Sequence, residues 1–283
     1  MSTILACTDG SQYSASIFQH AAWAASHMDA GVLALHVIDR EETRKPADLT
    51  GNLGFDASSE LMEELVKLDE EHSRVARLRG KAVLEDAARQ LTESGVESVK
   101  TKQRHGSVVE TLDEFEENAE LLVIGKRGEH ADFSKSHVGS NMERVVRSAK
   151  IPVLVASRSF RPVESFLLAY DGGPSIDKAI DFVAGQTLLK GAKAHLVSVG
   201  KPDSSLQSKL ANAATKLRDA GFEVEANLLP GDPDEVIAAE VESRGIDLLV
   251  MGAYGHSRIR YLVVGSTTAS LIRTCKIPVL LFR

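Results

Sequence analysis

The sequence predicts an α/β protein made of two tandem copies of one unit, a five-stranded parallel sheet with helices on both faces. Three observations predict it. Apolar runs of strand length alternate with helical patterns along the whole chain. The runs are almost continuously apolar, as strands covered on both faces must be. The same order of elements then occurs twice, with the same residues at its corners. Strand and helix in alternation imply parallel pairing with right-handed crossovers.

In the first half, residues 3–8 form a short apolar strand that ends at Asp9-Gly10-Ser11. A helix is expected over about 14–27, with Ile17, Ala21, Ala24 and Met28 on one face. The second strand is expected at 32–38. Residues 40–58 are polar and turn-rich, with Pro46, Gly51 and Gly54. A long helix follows over about 59–94. Its first part is heavily charged and carries Leu61, Leu65 and Leu68 at helical spacing. Charges there read as a solvated face with i,i+4 pairs, or as a contact surface for a partner. A strand over 96–103, a helix over 107–117, a strand over 120–125, a helix over 140–149 and a strand over 152–156 complete the unit.

The second half repeats this order. Strands are expected at 165–170, 194–199, 223–229, 246–251 and 278–282. Helices are expected at 175–189, 205–220, 233–244 and from the second glycine loop to 274. The corners align: Asp9 with Asp171, Gly125 and Gly128 with Gly252 and Gly255, and Gly139-Ser140 with Gly265-Ser266. Lys150-Ile151-Pro152-Val153-Leu154 aligns with Lys276-Ile277-Pro278-Val279-Leu280. Asp9 and Gly125 are 116 positions apart, and Asp171 and Gly252 are 81 apart; the excess of 35 falls in the 40–80 region. A linker near 157–164 separates units 1–158 and 163–283.

Composition narrows the function. The chain has 283 residues, enough for two ordinary domains, and 43% are apolar. A net charge of −7 argues against a general nucleic-acid binder. Cys7 and Cys275 each lie in or beside an apolar run and read as buried, reduced thiols. The nine histidines and two cysteines show no metal-ligand spacing. The N-terminus lacks a signal-peptide pattern, and no run approaches the ~18 apolar residues of a membrane span. A cytoplasmic protein without membrane contact is expected.

The segment after the strand at 246–251 carries the chemistry. Gly252, Gly255 and Gly265 are followed by Ser266, Thr267 and Thr268 and then by an apolar helical pattern. Glycines let backbone N–H groups approach an oxygen-rich ligand, and a helix start adds unpaired donors and a positive dipole end. Such a loop is an anion site, most often for phosphate; a Gly-rich connection that binds nothing is the alternative. The spacing is neither the Walker pattern nor the dinucleotide fingerprint.

This spacing, G-x2-G-x9-G-[ST], resembles the nucleotide loop of the universal stress protein family. Cys7-Thr-Asp-Gly-Ser11, Ala169-Tyr-Asp-Gly-Gly173, both glycine loops and both Ile-Pro-Val-Leu ends extend the resemblance over nearly the whole chain. It implies an adenine-nucleotide alpha-hydrolase-like fold with strand order 3-2-1-4-5 and ATP, or a related adenine nucleotide, as ligand. Magnesium would enter through the phosphates. By resemblance the binding residues are Asp171, Val199, Gly252, Gly255, Gly265, Ser266 and Thr267. Asp171 either meets ribose or amine groups or caps a helix, and Ser266 has the same two readings. Arg258 and Arg260 either neutralise phosphate or are solvated, and Tyr254 and Tyr261 read as packing groups.

A second site in the first half would use Asp9, Val37, Gly125, Gly128, Gly139 and Ser140. There Gly128 and Gly139 enclose ten residues instead of nine. Glu129 and Asp132 oppose phosphate in that loop, while Lys126, Arg127 and Lys135 favour it. The expected function is therefore a stress-response or regulatory protein that binds nucleotide mainly in its second half. A slow ATPase or phosphotransfer enzyme and a ligand-free interaction module are the alternatives. Phosphoryl transfer needs a positioned base and metal ligand, and His256 beside the loop reads as a surface residue. The halves are expected to form an internal pseudo-dimer through the apolar segments 153–155 and 279–281. Homodimerisation of the whole chain is a further possibility.

Overall fold

A computed structural model of the chain describes residues 2–38, 55–126, 140–201, 203–253 and 266–283. Among these residues the first half contains β1 (Ser2–Cys7), α1 (Ser14–Met28), β2 (Ala30–Ile38), α2 (Phe55–Glu93), β3 (Val99–His105), α3 (Val108–Glu116), β4 (Leu121–Gly125), α4 (Ser140–Ser148) and β5 (Val153–Ala156). The second contains β6 (Ser165–Ala169), α5 (Pro174–Gly185), β7 (Lys193–Val199), α6 (Ser204–Asp219), β8 (Val224–Leu229), α7 (Pro233–Ser243), β9 (Leu248–Gly252), α8 (Ser266–Thr274) and β10 (Val279–Phe282).

The strands form one ten-stranded sheet in the order β3-β2-β1-β4-β5-β10-β9-β6-β7-β8. Each half thus has the order 3-2-1-4-5, all parallel within the half. The halves join where β5 meets β10 antiparallel, with Val155 opposite Val279, Leu154 opposite Leu280 and Val153 opposite Leu281. These are the apolar end segments nominated above, and pairing them leaves neither as an open edge.

Alternation within the strands explains why they are apolar throughout. Ile4 and Ala6 enter one core with Leu154, Phe166 and Leu168, while Leu5 enters the other with Val153, Val155 and Leu167. α1, α2, α5 and α6 cover the first face, and α3, α4, α7 and α8 the second. Each core runs through both halves without a break.

Several boundaries differ from the sequence reading. β3 starts at Val99, because Val96 closes α2: its N–H donates to Leu91 O at 3.1 Å across Gly95, which has φ +87°. Ile246 closes α7 in the same way, donating to Val241 O, so β9 starts at Leu248. An apolar residue just past a left-handed glycine is a helix-ending contact, and in sequence it looks like a strand start. α5 stops at Gly185, where Gln186 turns extended. Leu188 and Leu189 are buried in the turn that follows, in which Lys190 N–H donates to Thr187 O. α2 also begins at Phe55, inside the stretch read as turn-rich.

Candidate functional site

In each half the order of strands reverses between its first and fourth strands, so their carboxyl ends flank a crevice. Ala169 of β6 lies opposite Met251 of β9, and β7 flanks β6 on its other side. Asp171, Gly252 and Val199 therefore stand along one edge. In the first half Ala6 lies opposite Val123 of β4 and Cys7 opposite Leu35 of β2. Asp9, Gly125 and Val37 occupy the matching edge. The topology brings these six residues together as two equivalent sets.

The remaining candidates are placed only in part. Gly128, Gly139, Gly255 and Gly265 lie outside the described residues, as do Arg127, Glu129, Asp132, Lys135, Tyr254, His256, Arg258, Arg260 and Tyr261. Ser140 and Ser266 are the first residues of α4 and α8, and Thr267 is half-buried in the first turn of α8. Thr268 is buried, and its hydroxyl donates to Gly252 O at 3.3 Å. That bond ties the start of α8 to the end of β9.

The two aspartates make the same local turn. Asp171 Oδ1 accepts the Gly173 N–H at 2.9 Å, and Asp9 Oδ1 accepts the Ser11 N–H at 2.9 Å. This is the Asx-turn that Asp favours, with Gly172 (φ +71°) and Gly10 (φ +78°) at its centre. Neither aspartate is the N-cap: α5 is preceded by Gly173 and α1 by Tyr13. One oxygen of each carboxylate is committed to holding its loop at the mouth of the crevice.

What covers these turns differs. At Gly10 a Cβ would come 2.5 Å from Val83 Cγ2, and at Gly172 it would come 3.3 Å from Lys209 Cδ. Val83 and Lys209 are equivalent, each twelve residues before the glycine that ends its helix, Gly95 and Gly221. Lys209 Nζ donates to Gly172 O at 3.1 Å. The second crevice therefore has a cation where the first has a valine. The helix starts differ in the same sense: α4 has Glu143 in its first turn, and α8 has no acidic residue there. Sequence reading passed over Lys209, whose charge looks like any other on an exposed helix face. Aligning the two helix ends would have found it. At the end of β7, the place of a Cβ on Gly200 has no atom of the described residues within 4 Å, which leaves room beside Val199 among them.

Lys126 serves a different purpose from the one expected. It donates to Ile277 O at 2.9 Å and to Cys275 O, both in the other half. It joins the halves where the carbonyls at the end of α8 need donors. Cys7 is half-buried behind the Asp9 turn; burial, helped by the Asp9 carboxylate, pushes its thiol up to about 12. Burial raises Cys275 as well. Both are free thiols that stay protonated at neutral pH, so neither is an activated nucleophile. Among the described residues no three of His, Cys, Asp and Glu converge on a common point, and no helix is long and apolar enough to cross a membrane.

The model of the universal stress protein family matches residues 1–157 and 205–283. The chain is 39% identical to universal stress protein Slr1230 of Synechocystis over the full length of both. It is 25% identical to a universal stress protein of Mycolicibacterium smegmatis, covering 99% of this chain and 96% of that one. A universal stress protein structure from Archaeoglobus fulgidus shares the fold, with a TM-score of 0.71 at 20% identity over 99% of this chain and 96% of that chain. A family model that matches in both halves, and a relative aligned end to end, lead to one conclusion: the chain belongs to the universal stress protein family.

Proposed function

We propose that the chain is a regulatory protein that binds an adenine nucleotide, ATP or a related ligand, chiefly in its second half. The observation that carries this reading is the charge difference between the described parts of the two crevices. The second has Lys209 over its aspartate turn and no carboxylate in the first turn of α8. The first has Val83 and Glu143 in the corresponding places. An anionic ligand favours the second on both counts.

In this reading Asp171 meets the ribose or the base amine, and the backbone at Val199 flanks adenine in the space beside Gly200. Gly252, Gly255, Gly265, Ser266 and Thr267 hold the phosphates, and magnesium enters with them. The residues present fit such a ligand: small residues line the strand end, the helix start supplies backbone N–H donors, and Lys209 adds positive charge. Asp9, Val37, Gly125, Gly128, Gly139 and Ser140 form a weaker site, or one for another ligand. The units 1–158 and 163–283 are then two unequal binding domains, and nucleotide acts as an effector with slow turnover or none.

The test is the protein as purified. Denaturation followed by chromatography and mass spectrometry should release an adenine nucleotide. A protein that releases none, and gives no calorimetric response to ATP at concentrations of about 1 mM, would remove the proposal.

A further inference from the structure

α2 has 39 residues, about 58 Å of helix at 1.5 Å per residue. Among its described side chains the C-terminal part packs on the body, through Leu84, Ala87 and Leu91. From residue 62 to residue 72 every side chain is exposed. That stretch nevertheless carries Met62, Leu65, Val66 and Leu68, and Val75 and Leu78 follow, all between 36% and 60% exposed. Leu65, Leu68, His72 and Val75 repeat at three- and four-residue steps, the spacing of a helix–helix seam. In proteins most helical stability comes from packing of an amphipathic face, so this exposed apolar stretch calls for a partner.

Charge indicates which partner. Glu63, Glu64, Asp69, Glu70 and Glu71 face a single cation, Lys67, over residues 62–71. Arg74, Arg77, Arg79 and Lys81 follow over residues 73–81 without any carboxylate. The basic part borders a groove of about 750 Å3 between α2 and the edge strand β3. Arg74, Arg77, Leu78, Lys81 and Lys102 line it, with Glu85 opposing them. Glu71 pairs with Arg74, and Glu64 with Lys67, within the helix. These pairs are exposed and i,i+3, so they hold the side chains weakly and can exchange partners.

We propose that the occupant of this face is a second copy of the chain. Two α2 helices pair antiparallel through residues 62–81, and the acidic segment of each lies against the basic segment and groove of the other. A parallel pair would set acid on acid and base on base. The antiparallel pair is two-fold and self-complementary, as a closed dimer requires. It uses none of the nucleotide crevice, and β5 and β10 are already paired within the chain, so it stands apart from the function proposed above.

Sedimentation velocity of the full-length protein tests it. The wild-type chain should be dimeric at about 100 µM and should dissociate as salt rises, since the contact is partly ionic. Leu65→Ser with Leu68→Ser should weaken the dimer at least about 100-fold while the body still unfolds in one cooperative thermal transition, because both positions are exposed and lie outside the core. Two charge-reversed proteins complete the test: Glu63→Lys/Glu64→Lys/Glu70→Lys, and Arg74→Glu/Arg77→Glu/Lys81→Glu. Each should be monomeric alone, and their mixture should form a heterodimer. A wild-type monomer at that concentration overturns the proposal. So does a dimer that survives the double serine substitution, or a mixture of the reversed proteins that stays monomeric.

Discussion

Acid should weaken this fold through His20, by an amount that follows from where the ring sits. His20 is fully buried on α1, beneath the segment that links the halves. Its ring meets Phe160 edge-on, with centroids 5.0 Å apart. Nδ1 donates to Ser16 O at 2.7 Å, and Nε2 has no partner among the described residues. Burial, with a smaller contribution from Lys126, lowers its pKa from 6.5 to about 4 against the opposing effect of the Ser16 carbonyl. The sign follows. Above pH 6.5 both states are neutral and nothing is lost. Below it the unfolded chain takes up a proton that the folded chain refuses, so stability falls until about pH 4 and then levels. The shift corresponds to a ceiling of about 3 kcal/mol, of which about 2 kcal/mol is lost by pH 5. Urea unfolding at pH 7 and pH 5, for the wild type and His20→Asn, isolates this contribution. Asn can keep the donor to Ser16 O and does not titrate, and every other group cancels in the comparison. The wild type should lose about 2 kcal/mol more than the variant between the two pH values. Equal losses, within about 0.5 kcal/mol, would show that His20 takes a proton in the folded protein and would refute the reasoning.

Other perturbations have equally definite outcomes. Lys209→Ala should weaken ATP binding about 2–5-fold in calorimetry, the effect of one exposed cation; unchanged affinity would take Lys209 out of the site. Gly172→Ala should cost about 1–2 kcal/mol, since its backbone is left-handed. Gly10→Ala should cost more, because its Cβ also meets Val83, and adding Val83→Ala should recover part of the difference in thermal unfolding. Leu280→Ala, at the fully buried seam between the halves, should cost about 2–5 kcal/mol. A loss below about 1 kcal/mol would mean that the halves unfold independently of the seam.

The duplication was plain in the sequence because the corner residues Asp9, Gly125 and Lys150–Leu154 recur intact as Asp171, Gly252 and Lys276–Leu280. Strand order was not readable from periodicity, which reports faces and says nothing of neighbours; it came with the resemblance. The start of β3 was misplaced because Val96, a helix-ending contact, has the same apolar character as a strand residue. The aspartates could be located but not assigned, since an N-cap and an Asx-turn both ask for Asp before a helix. Lys126 and Lys209 were opaque for a different reason. Lys126 reaches carbonyls 149 and 151 positions away, and the partner of Lys209 lies 37 positions back. No local pattern encodes such pairs. The exposed leucines of α2 were visible at helical spacing, but their exposure was not.

The reading of the second half as the nucleotide site rests finally on calorimetric titration of the full-length chain with ATP, repeated on Gly265→Val and Gly139→Val. A branched Cβ in either loop blocks the backbone approach that a phosphate needs. One tight site should appear in the wild type, disappear in Gly265→Val and persist in Gly139→Val. Loss of binding in Gly139→Val with retention in Gly265→Val, or two sites of equal affinity in the wild type, would contradict the account.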